Sequence, residues 1–207
     1  MTRLVLVRHG ETEWNRSRRL QGQSDSPLTE RGRAQAAGLA ERLADEHWHA
    51  VYTSDLKRAH DTATIIAGGQ HLTCDPVLRE RGFGAWEGLD DQTIRQQDPQ
   101  GHATWRVAEP DFSPPGGESW RAVWQRASDA LARYATIDTK GHTILAVTHG
   151  GLLRAALMQC LGLPISAPRR FGITNCAYNE LEHDGVQWRV SVLGDLSHQH
   201  TAGYIRL

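Results

Sequence analysis

The 207-residue sequence predicts an α/β fold. Apolar runs of strand length alternate with stretches of helical periodicity, which is the pattern of a sheet covered by helices. Two of the strands also break into the same short sequence. Leu4-Val5-Leu6-Val7 leads into Arg8-His9-Gly10-Glu11-Thr12, and Thr143-Ile144-Leu145-Ala146-Val147 leads into Thr148-His149-Gly150-Gly151. Ligands of open α/β sheets bind beyond the strand ends, so two imidazoles are expected at one rim.

In chain order, the first strand gives way to a polar, arginine-rich loop over residues 14–27. A loop of that length inside a compact domain is usually functional. Thr29 is placed to cap a helix and Glu30 to complement its dipole, with Ala36, Leu39, Ala40, Leu43 and Ala44 as the apolar face. Residues 50–53 read as a second strand. Ser54 or Asp55 is expected to cap the next helix, whose stripe is Leu56, Ala59, Ala63 and Ile66 and which Gly68-Gly69 ends. A third strand is expected over 71–74. The segment 76–117 is irregular, with clustered Gly, Pro, Trp and charge, and it reads as an insertion or lid too short for a core of its own. One short helix is expected inside it, near 91–97. Residues 118–134 place Val123, Ala127, Ala130, Leu131 and Tyr134 at helical spacing. The strand 143–147 precedes a helix over 152–161 that is apolar nearly all round and so buried. Residues 175–181 and 186–192 read as an antiparallel pair turning at His183-Asp184-Gly185, and the last 15 residues as polar and partly mobile.

The length suits a single domain, 1–207, with the insertion at about 76–117. The 39% hydrophobic and 23% charged residues are those of an ordinary soluble globular protein. A net charge of −1 supplies no field to recruit nucleic acid or an anionic membrane, so any attraction for an anion must be local. Cys74, Cys160 and Cys176 form no CxxC pair and read as reduced, mostly buried thiols, which suits a cytoplasm. The polar start leading straight into a strand predicts no signal peptide, and no apolar run approaches the roughly 18 residues of a membrane helix.

No phosphate loop of the GxxxxGK[ST] kind and no GxGxxG after a strand is present. Cys74 and Arg79 are one residue too close for a C-x5-R phosphatase loop. The pairs His47/His49 and His198/His200 stand apart from any carboxylate pattern and read as solvated surface pairs, so no metal is expected. The positive case rests on Arg8, His9, Arg58, Glu80 and His149, each just after a strand or at a helix start. Two guanidiniums suit a phosphate, whose several oxygens their planar donors can grip together. His9 could attack phosphorus through a ring nitrogen, with Arg8 and Arg58 lowering its pKa and keeping it neutral. His149 would donate to the equatorial oxygens and Glu80 would protonate the leaving alkoxide, a bound dianion holding the needed proton on its carboxyl. Singly, each histidine also fits a packed turn, and Arg58 and Glu80 fit a solvated ion pair.

Residues 6–12 with Trp14-Asn15 behind them closely resemble the signature of the histidine phosphatase superfamily, which includes cofactor-dependent phosphoglycerate mutases. Gln21-Gly22-Gln23-x-Asp25-x-Pro27-Leu28-Thr29 resembles its phosphate-side loop and Ser54-Asp55-Leu56-x-Arg58-Ala59 its second arginine motif. Leu78-Arg79-Glu80-Arg81-x-Phe83-Gly84-x-Trp86-Glu87-Gly88 is similar to the acid-donor segment, and Thr148-His149-Gly150-Gly151 to the second histidine. The resemblance implies a three-layer sandwich, a central mostly parallel sheet flanked by helices with a small cap. It implies His9 as phosphorylated nucleophile, Glu80 as proton donor, and Arg8, Arg58 and His149 as the rest of the catalytic set. Gly10, Asn15, Gln21, Gly22, Arg81, Gly150 and Gly151 would bind phosphate or substrate, with no metal.

Within that family the segment 88–117 is short for a glycolytic mutase, and Trp105-Arg106 supplies one arginine where a pair is expected. Its acids Asp90, Asp91, Asp98, Glu109 and Asp111 would repel a second phosphate. The Gly194–His198 tail also resembles the phosphatase branch, whereas the Arg18-Arg19 to Pro27 stretch resembles proteins named as mutases. The expected function is metal-independent hydrolysis of a small-molecule phosphomonoester, without cofactor. The alternatives are a phosphoglycerate mutase, which would use 2,3-bisphosphoglycerate, and a phosphate-binding regulatory protein without turnover. Apolar late strands leave room for a homodimer.

Overall fold

The computed structural model describes residues 1–137, 141–168 and 171–202. Six strands form one sheet: β1 (Thr2–Arg8), β2 (Ala50–Thr53), β3 (Leu72–Cys74), β4 (Thr143–Thr148), β5 (Tyr178–His183) and β6 (Trp188–Asp195). Their order is β3-β2-β4-β1-β5-β6. The first four are mutually parallel, and β5 and β6 add an antiparallel pair. β1 and β4 are apolar at every central position because both faces are covered. Leu4, Leu6, Ile144 and Ala146 enter one core with Val123, Leu153 and Leu157. Val5, Val7, Leu145 and Val147 enter the other with Leu39, Ala59 and Ala63. The expected three-layer sandwich follows from that alternation.

Helices α2 (Glu30–Arg42) and α3 (Lys57–Ala67) cover the second face, and α6 (Trp120–Thr136) and α7 (Gly150–Cys160) the first. Thr29 caps α2 as expected, accepting the Gly32 N–H at 2.9 Å, while Ala44 is exposed and lies past the helix end. The cap of α3 differs from expectation. Leu56 holds the N-cap position without a side-chain cap, and Ser54 Oγ accepts only the Leu56 N–H. The exposed amide of Lys57 is instead taken by Asp25 from the preceding loop, at 2.8 Å. Asp55 is unavailable because its carboxylate pairs with Arg79. α6 starts after its cap Ser119, and α7 starts at Gly150, two residues before its apolar run, because glycines show no periodicity.

The loop 14–27 is less structureless than its sequence. Thr12 and Asn15 form a reciprocal capping box on a single helical turn, α1 (Glu13–Arg16). The late hairpin turns at 184–187 rather than 183–185, since Val186 and Gln187 both donate to Asp184. Residues 193–195 belong to β6, and residues 197–202 form a 3-10 turn against α2, tied by His198 Nε2 to the Cys176 carbonyl. The expected mobility of the last residues, from 203 onward, lies outside the described residues. Cys74 is exposed on an edge strand, not buried; Cys160 is half-buried and Cys176 buried, and burial pushes both of those thiols up to about 12.

The insertion does have a core of its own. Trp86, Ile94 and Trp105 are buried together, with Leu20, Phe83, Leu89 and Phe112 packed around them. Two helices carry it, α4 (Asp91–Gln97), where one was expected, and α5 (Pro99–Arg106), which its polar and glycine content hides. Aromatic area compensates for short length, since each ring buries far more surface than an aliphatic chain.

One close approach locks β1 to α2. A Cβ on Gly10 would lie 2.4 Å from the Gly32 carbonyl oxygen, and one on Gly32 would lie 2.1 Å from the Glu11 carbonyl oxygen. Gly32→Ala would ordinarily stabilise a helix by about 1 kcal/mol. Here it is expected to destabilise by about 2 kcal/mol, because two backbones must part. Urea unfolding of the variant checks the sign, and a gain in stability would refute the contact.

Candidate active site

The rim of the sheet gathers the expected residues. β1 and β4 pair in parallel up to Arg8 opposite Thr148, and the His9 amide continues the ladder to the Thr148 carbonyl at 2.9 Å. The next residues, His9 and His149, therefore lie side by side, with ring centroids 5.2 Å apart and planes at 57°. His149 has the extended backbone of an N-cap, yet its side chain makes no capping bond to α7. Both its ring nitrogens are buried without a hydrogen-bond partner among the described residues.

His9 has its tautomer fixed by the backbone. Its Nδ1 lies 2.7 Å from the Gly10 carbonyl oxygen, which can only accept, so Nδ1 carries the proton and Nε2 keeps its lone pair. Gly10 is held in turn by its N–H to Thr62 Oγ1, and Asn175 Nδ2 donates to the His9 carbonyl at 2.7 Å. Burial is the first cause holding the His9 imidazole well below its ordinary pKa; Arg58 and Arg8 add to it. The guanidiniums act in the expected direction, but desolvation of a residue only 2% exposed outweighs them. His149 is likewise held low, by burial first and then by Arg58, His9, Arg8 and Arg126.

Arg58 is buried and Arg8 partly so, and backbone carbonyls help to hold both. Arg8 Nη1 donates to Ile173, and Arg58 donates from Nη1 to Ser24 and from Nη2 to Gly22. Asp25 is the carboxylate paired with Arg58, at 2.9 Å. The Nε of each arginine is buried and without a partner among the described residues. Carbonyls orient a guanidinium without cancelling its charge, so this corner remains cationic. With His149, those Nε groups make a cluster of unsatisfied donors beside His9. Such a cluster suits an anion with several oxygens.

Glu80 stands at the start of α7. Both carboxylate oxygens lie within 3.1 Å of the Gly151 nitrogen, and Oε1 also accepts the Arg81 N–H. Arg126 grips the same segment through the carbonyls of Val77, Arg79 and Glu80. Glu80, Arg8, Gly150 and Gly151 form one end of a cavity of about 250 Å³ that runs beneath the cap.

The remaining expected residues are placed as follows. Gly10 faces α2 and spends its N–H on Thr62, and Gly151 spends its N–H on Glu80. Gly22 adopts a left-handed φ of 57° and offers its carbonyl to Arg58. Asn15 reaches the site through Asn175, at 3.4 Å, and Gln21 is buried with Oε1 unpartnered among the described residues. Arg81 lines the cavity, but its guanidinium is directed to the carbonyls of Glu118 and Phe112. The acids of the cap lie elsewhere: Asp90 and Asp98 cap helices, Asp91 meets His102, and Asp111 pairs with Arg121. They do not line the cavity, so they are not what would repel a second phosphate.

Three supporting residues carry no signal of their own in the sequence, and a fourth, Glu87, carries none beyond its place in the acid-donor segment. Asn175 and Thr62 act from distant elements, and Glu118 joins the Gly82 amide to Arg126. Glu87 accepts from the amides of Gln23, Ser24 and Phe83 and from Ser24 Oγ, clamping the loop that holds Arg58. No group of three or more His, Cys, Asp or Glu among the described residues could hold a metal ion. No helix among them is long and apolar enough to cross a membrane.

Comparison with known proteins gives a consistent result. A family model described as the histidine phosphatase superfamily (branch 1) matches residues 4–196. A metal-independent phosphoserine phosphatase of Arabidopsis thaliana is 37% identical, covering 100% of this chain and 87% of its own. A probable phosphoglycerate mutase GpmB of Serratia proteamaculans is 38% identical, covering 97% and 96%. Among solved structures, a mycobacterial glucosyl-3-phosphoglycerate phosphatase superimposes with a TM-score of 0.83 at 34% identity, over 93% of this chain and 98% of that one.

The buried, neutral histidines set a pH dependence. Below pH 6.5 the unfolded chain binds protons that folded His9 and His149 refuse, so stability is full above 6.5 and lost as pH falls toward their depressed values. Each histidine contributes a loss of about 1.4 kcal/mol per pH unit in that window. The stability of wild type relative to His149→Gln is therefore expected to fall by about 1 kcal/mol between pH 7.5 and 5.5. Denaturant unfolding at both values checks this, and a constant difference would show that His149 titrates normally.

Proposed function

The chain belongs to the histidine phosphatase superfamily, branch 1, and from that premise we propose that it is a metal-independent phosphomonoesterase working through phosphohistidine at His9. The observation that carries this reading is the fixed tautomer: Nδ1–H on the Gly10 carbonyl leaves Nε2 as a neutral nucleophile among cations. In the first step the Nε2 lone pair bonds to phosphorus and the P–O ester bond breaks. Glu80 gives its proton to the departing alkoxide. In the second step water attacks phosphorus, Glu80 takes a proton from it, and the N–P bond breaks to return His9 and release inorganic phosphate. Arg8, Arg58 and His149 donate to the three equatorial oxygens, where transition-state charge collects. The Gly150 end of α7 and the Asn15 side share the binding of that phosphate.

The substrate is a small phosphorylated metabolite, as the names of the phosphatase relatives suggest. The domain is read as one catalytic unit, 1–207, capped by about 76–117, acting in the cytoplasm without nucleic acid or membrane and with room to pair as a homodimer. Mutase names among the relatives favour a second reading, phosphoglycerate interconversion with 2,3-bisphosphoglycerate. Against it, the rest of the cavity lining is largely aromatic and aliphatic and its two further cations, Arg81 and Arg154, donate to backbone carbonyls, a poor seat for a second phosphate.

Brief reaction with an aryl phosphate, an alkaline quench and mass mapping are expected to label the peptide bearing His9, and His9→Ala to lose at least 1000-fold in kcat, on the order of 4 kcal/mol. Full activity in His9→Ala would overturn the mechanism. Glu80→Gln is expected to slow alkyl esters about 100-fold more than aryl esters, since only poor leaving groups need the proton; equal losses would remove Glu80 as acid. Phosphoglycerate interconversion with 2,3-bisphosphoglycerate present, if faster than phosphate release, would favour the mutase.

A further inference from the structure

The cavity has two chemically different ends. Its polar end is lined by Arg8, Glu80, Gly150 and Gly151, which adjoin His9 and His149 in the chain or in the fold, although the two imidazoles do not themselves line it. Its other wall is formed by Leu20, Phe83, Trp105, Trp120, Met158 and Ile173, drawn from the loop before the cap, the cap itself, α6, α7 and the segment before β5. Arg81 and Arg154 also line it, and the polar groups of Trp120, Arg81 and Arg154 are engaged by backbone carbonyls. Trp120 Nε1 donates to the Ile165 carbonyl. Arg81 is bound to the Glu118 and Phe112 carbonyls and lies over the Phe83 ring. Arg154 donates to the Phe171 carbonyl and lies over its ring. The aromatic part is braced edge to face, with Phe83 and Trp105 centroids 6.1 Å apart at 85° and Trp86 behind them.

We propose that the alcohol half of the ester carries an apolar ring that seats against this wall. The proposal rests on the phosphomonoesterase reading and names the substrate class within it. A polyhydroxylated or zwitterionic leaving group would give up its water against surfaces that return few hydrogen bonds. A ring loses nothing polar there and gains offset or edge contacts with Phe83 and Trp105. A cavity of about 250 Å³ holds one ring system beside the phosphoryl group.

The test uses the whole chain and two esters whose alcohols are similarly poor leaving groups, 2-phenylethyl phosphate and glycerol 3-phosphate, so that binding rather than intrinsic reactivity separates them. Phosphate release is expected to show kcat/KM about thirtyfold higher for the phenylethyl ester, the gain from burying a phenylalanine-sized ring. Trp105→Ala is expected to reduce that ratio about tenfold. Because Trp105 also sits in the cap's core, Ala167→Gln provides a second variant, placing an amide on the cavity wall from a surface loop and lowering the same ratio. A wild-type ratio near one, or a ratio unchanged in both variants, overturns the ring seat while phosphatase action stands. No phosphate release from either ester overturns both.

Discussion

The register between β1 and β4 is the constraint from which the site follows. Six parallel pairs, from Arg3 opposite Thr143 to Arg8 opposite Thr148, bring two distant histidines to the same level at the end of the sheet. A slip of one residue would exchange every side chain between the two faces. Bonds beyond the ladder prevent it. The His9 amide meets the Thr148 carbonyl, the Cys176 amide meets the Arg8 carbonyl, and Thr148 Oγ1 meets the Leu78 carbonyl. These same bonds bring in the strand that follows the cavity wall and the segment that carries Glu80.

Around the two imidazoles the chain solves a charge problem with few counter-charges. One buried and one part-buried guanidinium would ordinarily demand carboxylates beside them. The sequence supplies Asp25 for Arg58, and carbonyls of Ile173, Gly22 and Ser24 for the rest. The loop carrying those carbonyls is held from its other side by Glu87, itself kept below the ordinary carboxylate range by hydrogen bonds that outweigh its burial. Position is therefore imposed by hydrogen bonds, while positive charge remains for an incoming anion. Asp25 also caps α3, so one carboxylate both starts the helix and steadies the arginine in its first turn.

The strands and long helices were legible because their periodicity comes from burial on one or two faces, and burial is written in residue type. The two histidines, Arg8, Arg58 and Glu80 were legible because they sit where such patterns stop. What the sequence hid was contributed across long separations. Asp25 capping α3 replaces an expected local cap at Ser54 or Asp55, and nothing near position 57 indicates it. The close approach of Gly10 to Gly32 fixes a helix against a strand end, a role that the glycine's place beside a histidine does not reveal. The cap's small core escaped for a different reason: two tryptophans, two phenylalanines and an isoleucine at irregular spacing have no period to read. The cap acids, visible in the composition, proved to serve helix ends and surface ion pairs.

The neighbours of β1 also bear on the order in which the protein can be assembled during synthesis. Its partners are β4 and β5, so Thr2–Arg8 leaves the ribosome long before either exists. β2 and β3 can pair with each other, but β2 too awaits β4. Until then an apolar strand is exposed to pair with any other extended chain. The central strand that aligns the two histidines is thus the one with the longest exposure before folding. Contacts of such sequence separation also make folding slow, which gives chaperones their main opportunity to act on this chain before β4 is made.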